Sequence, residues 1–161
     1  MRRLEKTIRE IGWTHAVPRL DVGDRVSRAF DEMSREAHDC VLVMRDGELA
    51  GIFTSRDFVN RIAAVRADPA RVVLGDVMTP TPRTLRPRDP VAFAINWMAV
   101  EGFRNVPIVD DAGQVRGVLT VWDVMRHLEA IFEDIDATPR PTRVFDDSSA
   151  VIAMIDIGGG S

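Results

Sequence analysis

Gly51-Ile52-Phe53-Thr54-Ser55-Arg56-Asp57 and Gly117-Val118-Leu119-Thr120-Val121-Trp122-Asp123 are one pattern written twice. A glycine, two apolar residues, a threonine and then an aspartate three positions on mark a strand running into a helix. The threonine suits the N-cap, and the acid can reach back to the N-cap amide. The likeness extends outward from both stretches. At a shift of 65 residues Thr14 falls on Thr79, Leu20 on Leu85, Asp24 on Asp89, Val26 on Val91, Ala29 on Ala94 and Met33 on Met98. One residue enters the second copy at Asp110-Asp111-Ala112-Gly113, against Arg45-Asp46-Gly47, and the shift becomes 66. A surface turn is where a repeat absorbs such a change.

Each copy predicts the same elements. Asp24 and Asp89 open helices whose apolar faces are Val26, Ala29, Phe30, Met33 and Val91, Ala94, Ile95, Met98. Strands follow at Val41–Met44 and Val106–Val109, then turns at Gly47 and Gly113, then strands at Leu49–Phe53 and Val115–Leu119. Second helices begin at Thr54 and Thr120, with Phe58, Val59, Ile62 and Val124, Met125, Leu128 facing inward. Extended segments near Val17–Leu20 and Pro82–Leu85 lead into each copy, and the prolines of Thr79–Pro90 predict extended chain throughout. The expected fold class is α+β: two β-α-β-β-α repeats packed as a pseudo-twofold pair, because one unit alone leaves a sheet face uncovered. The expected division is a helical lead-in over 1–10, repeats over 11–66 and 76–130, a linker over 67–75, and a tail over 131–161 with a possible strand at 150–157.

Composition narrows the function classes. The chain has 161 residues, 45% hydrophobic, with a net charge of −4. A mildly acidic surface argues against nucleic acid as partner. No apolar stretch approaches the ~18 residues that cross a bilayer, so no membrane partner is expected. Cys40 is the single cysteine, and it precedes the apolar run Val41–Met44. That pattern predicts a buried structural thiol and a reducing, cytoplasmic location. His15, His38 and His127 are scattered, and no metal site is expected. No acid–base pair or activated nucleophile stands out, so no enzyme is expected.

The Thr-x-x-Asp junctions carry two compatible readings. One is plain capping, worth about 1 kcal/mol. The other is ligand binding. A helix N-terminus offers free N–H groups to a phosphate, Thr54 and Arg56 can add donors, and Asp57 can accept from ribose hydroxyls.

Those junctions, with Asp76-Val77-Met78-Thr79-Pro80 and Gly102-Phe103-Arg104-Asn105-Val106-Pro107-Ile108-Val109-Asp110, resemble a tandem pair of CBS domains, the Bateman module, over residues 11–128. The resemblance implies a disc with two clefts that take AMP, ADP, ATP, S-adenosylmethionine or NAD-like molecules. No resident cofactor is implied. An adenosine-type regulatory ligand such as AMP or ATP is. It also implies a homodimer signalling to a separate regulated protein. By resemblance, Asp57 holds one ribose with Thr54, Arg56 and Arg104 at its phosphate. Asp123 holds the other with Thr120 nearby. Ala16-Val17 and Thr81-Pro82 pack on the bases. Asp39 stands where Arg104 stands in the other copy, and Trp122 replaces Arg56. Two unequal clefts follow, with phosphate favoured beside Asp57. The alternative is a structural homodimerisation module with vestigial clefts.

Overall fold

Both Thr-x-x-Asp junctions fall where a strand hands over to a helix, at equivalent points of two small sheets. The computed structural model describes residues 5–133. It begins with a short helix α1 (Ile8–Ile11), followed by β1 (Arg19–Asp21), α2 (Val26–Glu36), β2 (Cys40–Arg45) and β3 (Glu48–Thr54). Helix α3 (Ser55–Phe58) continues as a π-helical turn over Val59–Ala63. Then come α4 (Leu74–Val77), β4 (Thr79–Pro80) and α5 (Val91–Asn96), which passes into a second π-helical turn over Trp97–Glu101. Strands β5 (Asn105–Val109) and β6 (Val115–Thr120) precede α6 (Val121–Glu133). This is the α+β pair of repeats expected from the sequence. The extra N-terminal helix is present at Ile8–Ile11, and the proposed strand 150–157 lies outside the described residues.

The two sheets trade strands. In the first, β1 runs parallel to β2, β2 antiparallel to β3, and β3 antiparallel to β4. In the second, β5 and β6 are antiparallel, Leu85 bridges parallel to Ile108, and Thr14 bridges antiparallel to Val118. The registers correspond: Leu20 faces Val43 as Leu85 faces Ile108, and Thr79 faces Ile52 as Thr14 faces Val118. Thr79 opens the second repeat yet pairs with the first, while Thr14 opens the first and pairs with the second. Thr14 and Val118 exchange both N–H···O bonds, each at 2.9 Å. The hairpins irregularly shift register at equivalent places, Val43/Met44 and Ile108/Val109.

Three apolar clusters hold this together. One packs Val26, Ala29, Val41, Phe53, Ile62 and Leu74 inside the first repeat. Its counterpart gathers Ile8, Val91, Ala94, Val106, Leu119 and Val124. The third combines Val17, Leu42 and Ile52 with Val115 and Val118, so the repeats share a core. Helix α1 docks on the second repeat: the Ile8 amide donates to the Asp89 carbonyl at 3.0 Å, and Ile8 is fully buried.

Several local expectations are corrected. Asp24 and Asp89 do not cap helices; the N-caps are Arg25 and Pro90. Each aspartate instead closes the preceding turn, accepting from the amide of Asp21 (2.8 Å) or Arg86 (2.7 Å). Residues 79–90 are not extended throughout. Thr81 is left-handed at φ 45°, and Arg86–Asp89 form a turn with Pro87 at its second position, where its fixed φ is favoured. Phe30, Val59 and Met125, expected on buried faces, are about half exposed, at 48%, 57% and 55%. With helices on one side of small sheets, only the inner part of each apolar stripe is covered. Phe30 leans on Phe58, with ring centroids 5.3 Å apart.

The strand exchange requires close backbone approach. A Cβ on Gly117 would lie 2.2 Å from the Thr14 carbonyl oxygen, and one on Gly51 would lie 2.8 Å from that of Thr79. Gly117 also holds φ +140°, which disfavours any side chain. Gly117→Ala is therefore expected to destabilise the fold by roughly 2 kcal/mol or more. Urea denaturation should register this as a lower midpoint with an unchanged slope.

Candidate functional site

Strand β3 ends by aiming Thr54 at the first turn of α3. The Thr54 hydroxyl accepts from the Asp57 amide at 3.2 Å. In return Asp57 Oδ2 accepts from the Thr54 amide at 3.0 Å and from its hydroxyl at 3.1 Å. Thr120 and Asp123 repeat the arrangement at 2.8 Å for both bonds. The capping reading is thus real in both copies. It also fixes the rotamer of each aspartate, leaving Oδ1 outside the cap. Both residues are nearly buried, Asp57 at 9% and Asp123 at 6% exposure.

The exchanged strands contribute the next donors. Thr79 Oγ1 donates to Asp57 Oδ1 at 3.4 Å, and Thr14 Oγ1 donates to Asp123 Oδ2 at 3.2 Å. Each aspartate is thereby reached by a threonine from the other repeat. Sequence reasoning gave these threonines no role. Their equivalence at a shift of 65 residues was the signal available. One helical turn on, Arg61 lies 3.5 Å from Asp57 Oδ1, and Arg126 pairs closely with Asp123 Oδ1.

Two cavities open at these junctions. The larger, about 900 Å³, is lined by Thr54, Arg56 and Asp57 of the first repeat and by Pro82, Arg83 and Arg104 of the second. It therefore unites five sequence-predicted residues, and its volume is that of a small-molecule site. Arg83 stacks over Trp97 (5.3 Å) and Phe103 (6.0 Å) and pairs with Glu101 at 2.5 Å. The smaller cavity, about 340 Å³, is lined by Val17, His38, Thr120, Trp122, Arg104 and Arg126, among others. Ala16, Thr81 and Asp123 do not line either one; Ala16 and Thr81 are exposed.

Two parts of the expected asymmetry need revision. The smaller cleft has an arginine that comparison of the copies does not show, Arg126, with Asn60 at the equivalent place, but that arginine is paired with Asp123. Nor do Asp39 and Arg104 each serve one cleft, since both residues line both cavities. Cys40 also borders the smaller cavity, but it is only 2% exposed. Burial, aided by the adjacent Asp39 charge, pushes its thiol up to about 12.

With this geometry in place, comparison with known proteins decides the family. The CBS domain profile matches residues 8–64 and 74–130. The chain belongs to the CBS domain family. Among curated relatives, the meiotically up-regulated gene 70 protein of Schizosaccharomyces pombe is 34% identical over 115 residues, 70% of this chain and 16% of that protein. The matched segment spans from 16% to 52% of the length of such relatives. Of solved CBS pairs, CBSX2 in complex with AMP superposes with a TM-score of 0.66 at 23% identity, over 78% of this chain and 98% of that one. The CBS pair of MJ0100, in complex with 5′-methylthioadenosine and S-adenosyl-L-methionine, gives 0.68 at 20% identity, over 78% and 98%. No helix among the described residues is long and apolar enough to cross a membrane.

The raised Cys40 pKa has a direct consequence. The native thiol stays protonated at pH 8, so a thiol-specific reagent should label it only after denaturation. In the unfolded chain the thiol ionises near its ordinary value of 9.0, but in the native state only near 12. The stability this thiol contributes is complete below pH 9 and is lost as pH rises toward 12. Denaturation midpoints measured across that alkaline window should fall more steeply for the wild type than for Cys40→Ala.

Proposed function

We propose that this CBS pair is a non-catalytic regulatory module that binds an adenosine-containing ligand, of the AMP, ATP or S-adenosylmethionine kind, and signals to a partner protein. One observation carries the reading. A buried aspartate, clamped by its own helix cap and by a threonine of the other repeat, stands in a cavity of about 900 Å³ beside Arg56 and Arg104. An oriented carboxylate oxygen suits vicinal ribose hydroxyls. Two arginines, Arg56 and Arg104, suit a phosphate. CBSX2 with AMP and MJ0100 with S-adenosyl-L-methionine support adenosine as the common feature. Both aspartates are engaged in capping and neither forms a free acid–base pair, which favours binding over catalysis.

The repeats 11–66 and 76–130 act as the functional halves. Because the cavity is walled by both, a ligand there bears on their relative placement, and a ligand with different affinity for two placements shifts their populations. The module acts as a cytoplasmic homodimer. Trp122, Met125 and Phe132 expose apolar surface on one side of α6, at 67%, 55% and 63%, and such surface favours self-association.

The test is thermal denaturation with AMP, ATP, S-adenosylmethionine and adenosine. At a ligand concentration of 100 Kd, native-state binding adds about 2.7 kcal/mol, a rise of roughly 5 °C or more in Tm for a chain of this size. The rise should vanish in Asp57→Ala. No rise with any of the four would favour the structural dimerisation module instead.

A further inference from the structure

Resting on the ligand-binding reading above, we infer that the two clefts are negatively coupled through Arg104, so that an anionic ligand in one weakens anion binding in the other. The cavities share a wall. Asp39, Arg104, Asn105 and Val121 line both of them. The backbone of Arg104 is fixed there, its carbonyl accepting the first amide of α6, Val121, at 2.8 Å. Its guanidinium, among the described residues, makes no ion pair or hydrogen bond within the protein. The neighbouring cations are otherwise committed: Arg126 to Asp123 and Arg83 to Glu101. In the larger cavity Arg56 and Arg104 remain for a phosphate, and in the smaller only Arg104 does.

One guanidinium cannot satisfy two phosphates on opposite sides of a wall. When it turns to the larger cavity, a phosphate in the smaller faces the Asp39 carboxylate without its cation. When it turns to the smaller, the larger keeps Arg56 but loses half of its uncommitted positive charge. The two losses are equal in free energy, because coupling between sites is reciprocal. Asp39 strengthens the effect by making the unserved side unfavourable for an anion. The consequence is a preference for one nucleotide per pair, or for one charged and one uncharged ligand together. An uncharged nucleoside, which makes no demand on Arg104, escapes the coupling.

Titration calorimetry on the full chain tests this with AMP and with adenosine as probes. Asp57→Ala reports the smaller cleft alone, and His38→Trp, which fills the smaller cavity from its rim, reports the larger alone. Should Asp57→Ala fail to fold, Pro82→Trp fills the larger cavity instead. With AMP, the second binding step of the wild type is expected to be at least about fivefold weaker than that cleft measured alone. With adenosine the two values should agree. In Arg104→Gln the AMP difference should disappear, although each step weakens. An AMP isotherm equal to the sum of the two single-cleft isotherms overturns the coupling while leaving the binding function intact. So does a smaller cleft that takes no AMP when the larger is closed. If neither AMP nor adenosine binds anywhere, the ligand-binding reading fails and the coupling with it.

Discussion

The structure depends on one exchange of backbone: Thr14 lies across Val118, and Thr79 lies across Ile52. Each repeat lends the segment that opens it to the other's sheet. A single repeat would expose an unpaired sheet edge at β3 or β6, and such an edge invites pairing with another chain. Gly51 and Gly117 make the exchange possible, since a Cβ at either would collide with the backbone of the visiting strand. The shared cluster of Val17, Leu42, Ile52, Val115 and Val118 then fills in between. Pairing and packing support each other, so the pair and not the repeat is the unit that can fold.

The same exchange builds the clefts. Thr79 and Thr14 reach Asp57 and Asp123 because their strands have crossed into the other repeat. An isolated repeat would keep its Thr-x-x-Asp cap but lose the cross-strand donor and one cavity wall. On the ligand-binding reading, the capping box is both a stabilising device and a tool of function. It holds the aspartate in one rotamer, and a carboxylate fixed in advance loses less freedom when a ligand docks.

Duplication, element order and the capped aspartates were legible in the sequence because they are local signals. They rest on alternation in strands, helical spacing in helices and a threonine three residues before an acid. Arg56, Arg104, Thr54, Asp57 and Pro82, each singled out in the sequence, line one cavity. The strand exchange was not legible. It is carried by pairings of one or two residues between segments far apart in the chain, and nothing local distinguishes staying from crossing. Arg126 was missed for a different reason. Its counterpart is Asn60, so comparison of the copies could not flag it, and its pairing with Asp123 follows only from helical spacing. Phe30 and Met125 show the limit of periodicity, which gives the width of an apolar stripe but not how much of it a neighbour covers.

The two copies have kept their shared registers and diverged at the walls of their clefts. Thr-x-x-Asp, the exchanged threonines, the paired glycines and the turn-closing Asp24 and Asp89 remain in both. Arg56 faces Trp122, Asp39 faces Arg104, and Asn60 faces Arg126 across the pseudo-symmetry. The retained positions satisfy backbone groups, and a change there costs folding energy. The divergent ones, Asn60 apart, line cavities, where a change alters charge at little cost to the fold. A symmetric pair would offer two equal sites with a cation on each. Replacing one of the equivalent residues by an acid leaves a single cation on a common wall, and under the proposed coupling asymmetry in the ligands follows from asymmetry in that wall.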